Sequence, residues 1–101
     1  MEALAATGLR SVRYVKEIGV HVDKILANDW DLEASKLIEK NFEFNGVEKN
    51  RTEVTSMDGI DLMYERRKNL DFYDVVDLDP YGTAVPFLDA AVQSISNGGL
   101  L

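Results

Sequence analysis

At 101 residues, with hydrophobic residues at 46% and charged residues at 29%, the chain has the makeup of one small folded domain at most, and disorder is disfavoured. Its formal net charge of −7 argues against this segment alone holding nucleic acid by phosphate neutralisation, so any grip on RNA must come mostly from elsewhere. There is no cysteine and one histidine, His21, which argues against disulfides and metal sites; no apolar run approaches the ~20 residues of a membrane span and no signal peptide is visible, so an intracellular setting is the default.

Glu2-Ala3-Leu4-Ala5-Ala6-Thr7-Gly8 reads as a strand exit and loop, yet no run of ~5 apolar residues precedes it. The first strand is therefore expected to be missing. Leu9, Val12, Tyr14, Val15 and Ile18 have helical spacing, with an end near Gly19. Glu2, Thr7 and Gly8 then lie at a strand-to-helix junction, where backbone amides and a helix N-terminus can face a ligand. Arg10, on the first turn, is expected to reach a cofactor carboxylate or an RNA phosphate, or else simply to face water.

Ile25-Leu26-Ala27 is a short strand that ends in Asn28-Asp29-Trp30-Asp31, with Asp31 an N-cap for the next helix. Asp29 is thus an acidic residue at a strand end, ~20 residues after Gly8, the place where nucleotide-type sites bind ribose hydroxyls. A second capping carboxylate is the competing assignment. The following helix packs Ala34, Leu37, Ile38 and Phe42 on one face and stops at Asn45-Gly46. Thr52-Glu53-Val54-Thr55 is a weak strand leading to Asp58-Gly59, where Asp58 either accepts from an adenine amino group or caps the next helix, and Gly59 permits close backbone approach. The charge run Glu65-Arg66-Arg67-Lys68 is expected to face water.

Phe72-Tyr73-Asp74-Val75-Val76 is apolar and aromatic enough for a buried strand, and Pro80 ends it. Beyond it stands Asp77-Leu78-Asp79-Pro80-Tyr81-Gly82. An exocyclic amine on a nucleobase is a poor nucleophile because its lone pair is delocalised into the ring. Two acceptors for its N–H groups, the Asp79 carboxylate and the Pro80 carbonyl, would localise that lone pair and aim it, while Tyr81 offers a face for the flipped base. Asp77 is assigned to the opposite strand face. A plain Pro-Tyr-Gly turn with solvated aspartates is the competing assignment. A helix over Val85–Ile95 follows, with Pro86 in its first turn, Asn97-Gly98-Gly99 closing it, and Leu100-Leu101 opening a fifth strand.

Three acidic strand ends and a Thr-Gly loop on alternating strands and helices form a set that separate capping roles do not explain together. The lone glycine favours S-adenosylmethionine over a dinucleotide, because the former has no phosphates to cradle and carries a cationic sulfonium that suits an acidic domain.

Glu2 through Ser11, Ala27-Asn28-Asp29, Asn41 through Gly46, Leu62-Met63-Tyr64 and Asp77 through Asp89-Ala90-Ala91 together closely resemble the tRNA guanine-N2 dimethyltransferases, which act on the guanine at position 26 of tRNA. The resemblance covers essentially the whole chain. It implies an α/β, Rossmann-like class I methyltransferase sheet with helices on both faces, truncated at both ends, in which residues 1–101 are a partial S-adenosylmethionine-binding domain of a longer enzyme. It places Arg10, Asp29, Asp58 and Gly59 on cofactor-contacting positions and Asp79 on the catalytic carboxylate, with Pro80 and Tyr81 beside it. Expected partners are S-adenosylmethionine and tRNA, without metal or membrane, and the compartment would be nucleus, mitochondrion or cytoplasm according to organism. Because the first strand would lie near the centre of the sheet, its loss is expected to open a gap there. Rival readings are an amino-methyltransferase acting on DNA or protein, and a catalytically silent domain that binds a nucleoside or a partner.

Overall fold

The structure, a computed structural model, describes residues 1–101 throughout. Strands and helices alternate: α1 (Leu9–Ile18), β1 (Ile25–Asn28), α2 (Leu32–Phe44), β2 (Thr52–Thr55), α3 (Gly59–Lys68), β3 (Tyr73–Val75), α4 (Val85–Ser94) and β4 (Ile95–Leu100). Local chemistry explains where the helices start. The Asp31 side chain accepts from the Glu33 amide at 3.0 Å and that of Asp58 from the Ile60 and Asp61 amides at 2.8 and 3.2 Å, so both are working N-caps. At the start of α1 stands Gly8 with φ 72°, and a Cβ there would come within 2.9 Å of the Ile38 side chain. Only glycine permits both that backbone turn and that approach of α1 to α2.

The strands form two parallel pairs, β1 with β2 in the register Ile25↔Thr52 to Asn28↔Thr55, and β3 with β4. Glu2 joins the pairs, bridging in parallel to Ala27 on one side and to Asp77 on the other. Its amide donates to the Leu26 carbonyl at 2.8 Å and its carbonyl accepts from the Asn28 amide at 2.9 Å; on the other edge Ala3 donates to Asp77 and Asp77 to Met1, at 3.1 and 2.8 Å. Across the molecule the order is therefore β2, β1, residues 1–3, β3, β4. No strand precedes α1, as expected, but the gap expected in its place is filled: Met1 to Ala3 occupy the middle of the arrangement through the two bridges of Glu2. Three residues are too few to carry an alternating pattern, so the pairing was invisible in the sequence. The single continuous sheet expected is likewise replaced by two short two-stranded sheets linked through one residue, in a mixed α/β chain.

Burial follows the same division. Ala5, Val12, Ala27, Ile38, Phe42 and Val47 form one apolar cluster under α1 and α2, and Met63, Val76, Ala90 and Ala91 a second under α3 and α4. β1 is buried at all four positions, as a parallel strand covered on both faces must be.

Two further expectations change. The last helix ends at Ser94, one residue early, and Asn97-Gly98-Gly99 lies within β4 instead of closing the helix. A Cβ on Gly99 would sit 2.7 Å from the Asp74 carbonyl oxygen and Gly98 has φ 83°, so these glycines allow a bulged strand to pass close beside β3. Arg66, expected to face water with its neighbours, is instead largely covered and holds Glu53 and Asp71, the latter at 2.8 Å.

Candidate active site

The acidic strand ends converge at the carboxyl edge of the parallel strands, and hydrogen bonds divide them into two groups. In the first, the Arg10 guanidinium on α1 meets both aspartates of the segment after β3. Its Nη1 lies 3.2 Å from each carboxylate oxygen of Asp77, and its Nη2 donates to Oδ2 of Asp79. The assignment of Asp77 to the opposite face is thus wrong. Side chains alternate along a strand with period two, so residues 77 and 79 share a face, and Arg10 spans them. The guanidinium is also not left free for an outside anion, since two carboxylates already hold it; both partners favour its charged form, the bond to Asp79 most.

Tyr14, which the sequence reading took only as a helix-spacing residue, donates its hydroxyl to Oδ2 of Asp77 at 2.6 Å. Burial first, and the bond to Asp77 second, push its phenol up to about 12. Asp79 itself is 59% exposed, and its Oδ1 makes no hydrogen bond within the chain. Two residues on, the Tyr81 ring is fully exposed after the half-buried Pro80, and Gly82 with φ 87° turns the chain toward α4.

Glu2 lies behind this group. It is buried, and its Oε2 accepts from the Ser11 hydroxyl. Burial raises its carboxyl above the ordinary 4.5, and the Ser11 bond only partly opposes that shift. Because the ionised form is the penalised one in the folded state, the cost is complete above the raised value and fades as pH falls toward 4.5. Glu2→Gln, which keeps an acceptor for Ser11, is expected to raise the thermal midpoint at pH 7, with a gain that shrinks on acidification. Calorimetric scans of both proteins from pH 7 to 4.5 check this, and a lower midpoint for the variant at neutral pH would show that the buried charge is fully compensated.

In the second group Asp29 is buried and accepts from two backbone amides, Ala6 at 2.9 Å and Asp31 at 3.0 Å, one on each oxygen. It therefore fixes the loop before Gly8 to the end of β1, and each oxygen keeps one further acceptor position not used within the chain. The Thr7 carbonyl in that loop accepts from the Asn41 amide group at 2.7 Å. Asn28, completely buried, donates to the Ala3 and Met57 carbonyls and accepts from the Thr55 hydroxyl and the Met57 amide. This residue ties three strand ends together, a role that a single amide in a sequence does not announce. Trp30, 77% exposed directly after Asp29, was likewise passed over, although an open ring beside a carboxylate is a legible signal.

Asp58 and Tyr81 make no hydrogen bond to either group. Asp58 caps α3 through Oδ1 and its Oδ2 is uncommitted, while Gly59 lies close enough to Ala3 that an added Cβ would stand 3.4 Å from the Ala3 carbonyl oxygen. Two cavities of about 530 and 520 Å³ flank the strands, one beside α2 and β2 and the other behind Glu2, Tyr14 and Tyr73, and neither is lined by Asp29, Asp58, Asp79 or Tyr81. At the strand ends Asp79 and Tyr81 are exposed, while Asp29 and Glu2 are buried. No set of three His, Asp or Glu side chains is placed to hold a metal ion, and no helix is long and apolar enough to cross a membrane.

Comparison with known proteins identifies the family. A sequence profile of the N2,N2-dimethylguanosine tRNA methyltransferases matches residues 1–101. The chain is 52% identical over 101 residues to the tRNA (guanine(26)-N(2))-dimethyltransferase of Schizosaccharomyces pombe, covering all of this chain and 18% of that protein. It is 48% identical to the mitochondrial enzyme of that name from Saccharomyces cerevisiae and 43% identical to the Homo sapiens one, again over the whole chain but only 17% and 15% of those proteins. The chain thus spans less than a fifth of the length of these relatives.

Proposed function

We propose that this chain, which belongs to the N2,N2-dimethylguanosine tRNA methyltransferase family, is the donor-binding and catalytic part of a longer enzyme that methylates the exocyclic N2 amine of a guanine in tRNA. The lateral order β2, β1, residues 1–3, β3, β4 supports a Rossmann-like class I methyltransferase sheet, because it reproduces the 3-2-1-4-5 order of doubly wound folds with the ligand edge at the strand carboxyl ends. Residues 1–101 then form part of one such domain.

The observation that carries the reading is Asp79: a carboxylate beyond the end of β3, held through one oxygen by Arg10, open at the other, and followed by Pro80 and a free aromatic face. Its open oxygen accepts one N–H of the guanine amine and the Pro80 carbonyl the other, so the nitrogen lone pair is localised and pointed away from the ring. Tyr81 stacks on the flipped base.

The family implies a methyl donor, and the residues fit S-adenosylmethionine. Asp77 and Asp79 share one arginine, and Asp29 and Asp58 at the other strand ends bond only to backbone amides, an excess of negative charge that suits a cationic ligand. When bound, that donor supplies an electrophilic methyl group on its sulfonium. Asp29 would take the ribose hydroxyls through its open acceptor positions, Asp58 through Oδ2 and Gly59 the adenine edge, and Glu2 and the Thr7-Gly8 loop the remainder.

The test is methyl incorporation by the full-length protein from labelled S-adenosylmethionine into unmodified tRNA, duplex DNA and a mixed protein substrate side by side. Label is expected in tRNA, recovered as N2-methylated guanosine. Incorporation into DNA or protein alone would transfer the chemistry to another substrate, and incorporation into none would leave a binding domain.

A further inference from the structure

We propose that Tyr14 and Asp77 are positioning residues for methyl transfer, which brace the Arg10 guanidinium against one oxygen of Asp79 so that its other oxygen is aimed at the substrate amine. The inference rests on the reading of Asp79 as the catalytic carboxylate.

Three contacts in series cross from α1 to the strand end. The Tyr14 hydroxyl donates to Asp77 at 2.6 Å, Arg10 Nη1 reaches both oxygens of Asp77 at 3.2 Å, and Arg10 Nη2 donates to Asp79. Exposure falls along the series from the reacting end inward: 59% for Asp79, 39% for Arg10 and 20% for Asp77. Asp79 lies past the last paired residue of β3, where a carboxylate turns freely about two torsions unless something holds it. An arginine on its own is a poor fixture, because its long stem carries several rotatable bonds. Anchored from behind by a covered aspartate that is itself fixed by a tyrosine, its planar fork has one orientation left. Tyr14 keeps its proton across the working range, so the innermost link is permanent.

The arrangement also divides the labour between the two oxygens. Oδ2 of Asp79 is occupied by Arg10, and Oδ1 is the acceptor presented to substrate. Lone-pair alignment is what this chemistry requires of the protein, and loss of it costs rate without costing affinity.

The experiment is single-turnover methylation of unmodified tRNA by the full-length protein with saturating cofactor, for Tyr14→Phe, Asp77→Asn, Arg10→Lys, Arg10→Ala and Asp79→Ala, with cofactor and tRNA affinities measured in parallel. Tyr14→Phe is expected to lower the rate ~10-fold and Asp77→Asn ~10- to 100-fold, with both affinities within about twofold of the parent. Arg10→Lys should recover part of what Arg10→Ala loses. Should Asp77→Asn fail to fold, Tyr14→Phe, which removes one oxygen atom, decides alone. Parental rates for Tyr14→Phe, or losses confined to cofactor affinity, would overturn the brace. A parental rate for Asp79→Ala would instead remove the catalytic reading on which it rests.

Discussion

Asp79→Ala is expected to lower single-turnover methylation of unmodified tRNA by the full-length protein by ~10²-fold or more, the largest catalytic effect of any substitution in this chain. The amine nitrogen acquires positive charge as its bond to the methyl group forms, so a fixed carboxylate against its N–H stabilises the transition state more than the ground state. That distinction sets the kinetic signature. Cofactor affinity should be nearly unchanged, because Asp79 presents its open oxygen from a solvent-facing segment and shares no hydrogen bond with the buried Asp29 group that would take the ribose. Asp79→Asn keeps an acceptor without the charge and loses the charge-assisted bond to Arg10, so it should fall between parent and alanine. Because Asp77 shares the face and the arginine, Asp77→Asn should also slow the reaction, but less than Asp79→Ala. A larger loss at Asp77 would mean that the two carboxylates have been given each other's roles.

Much of the frame was legible because it is encoded locally. The helix from Leu9 to Ile18, the strand at Ile25 and the caps Asp31 and Asp58 each follow from a few neighbouring residues, and all stand where periodicity and capping place them. The acidic strand ends were legible for the same reason. What was not legible is what depends on distant partners. Arg10 meets residues 67 and 69 positions away, and no local pattern distinguishes an arginine that braces a carboxylate from one that waits for a phosphate. Glu2 looked like a loop residue because it pairs through isolated bridges and belongs to no strand, although it bridges both halves of the molecule. Arg66 sat in a run of charges that reads as solvated, and only the approach of Glu53 and Asp71 covers it. The face of Asp77 is a different case: the period of a strand was enough to place it beside Asp79, so that error lay in the inference and not in the sequence.

Asn28→Ala should be the most destabilising single change at the site, at about 3–5 kcal/mol, without removing any group that touches a ligand. The side chain is fully buried and makes four hydrogen bonds, two as donor to the Ala3 and Met57 carbonyls and two as acceptor from Thr55 and the Met57 amide. Each bond contributes only about 0.5–1.5 kcal/mol net, but alanine also strands the buried Ala3 carbonyl and leaves the half-buried Met57 and Thr55 groups without their partner. The damage has a direction. Ala3 belongs to the segment that joins the two sheets, and Met57 precedes the Asp58 cap, so the strand ends that carry Glu2, Asp29 and Asp58 would separate. Hydrogen exchange on the full-length protein should therefore show faster exchange at the Glu2, Ala5 and Met57 amides, together with a lower unfolding midpoint. Asn28→Asp separates the hydrogen bonds from the volume: it preserves shape and acceptors but replaces two donors with a buried negative charge facing two carbonyls. It should be at least as damaging as alanine. If the aspartate variant instead matched the parent in midpoint and exchange, the donors of Asn28 would carry no weight, and the packing of Ala3 against Gly59 would have to hold the strand ends together.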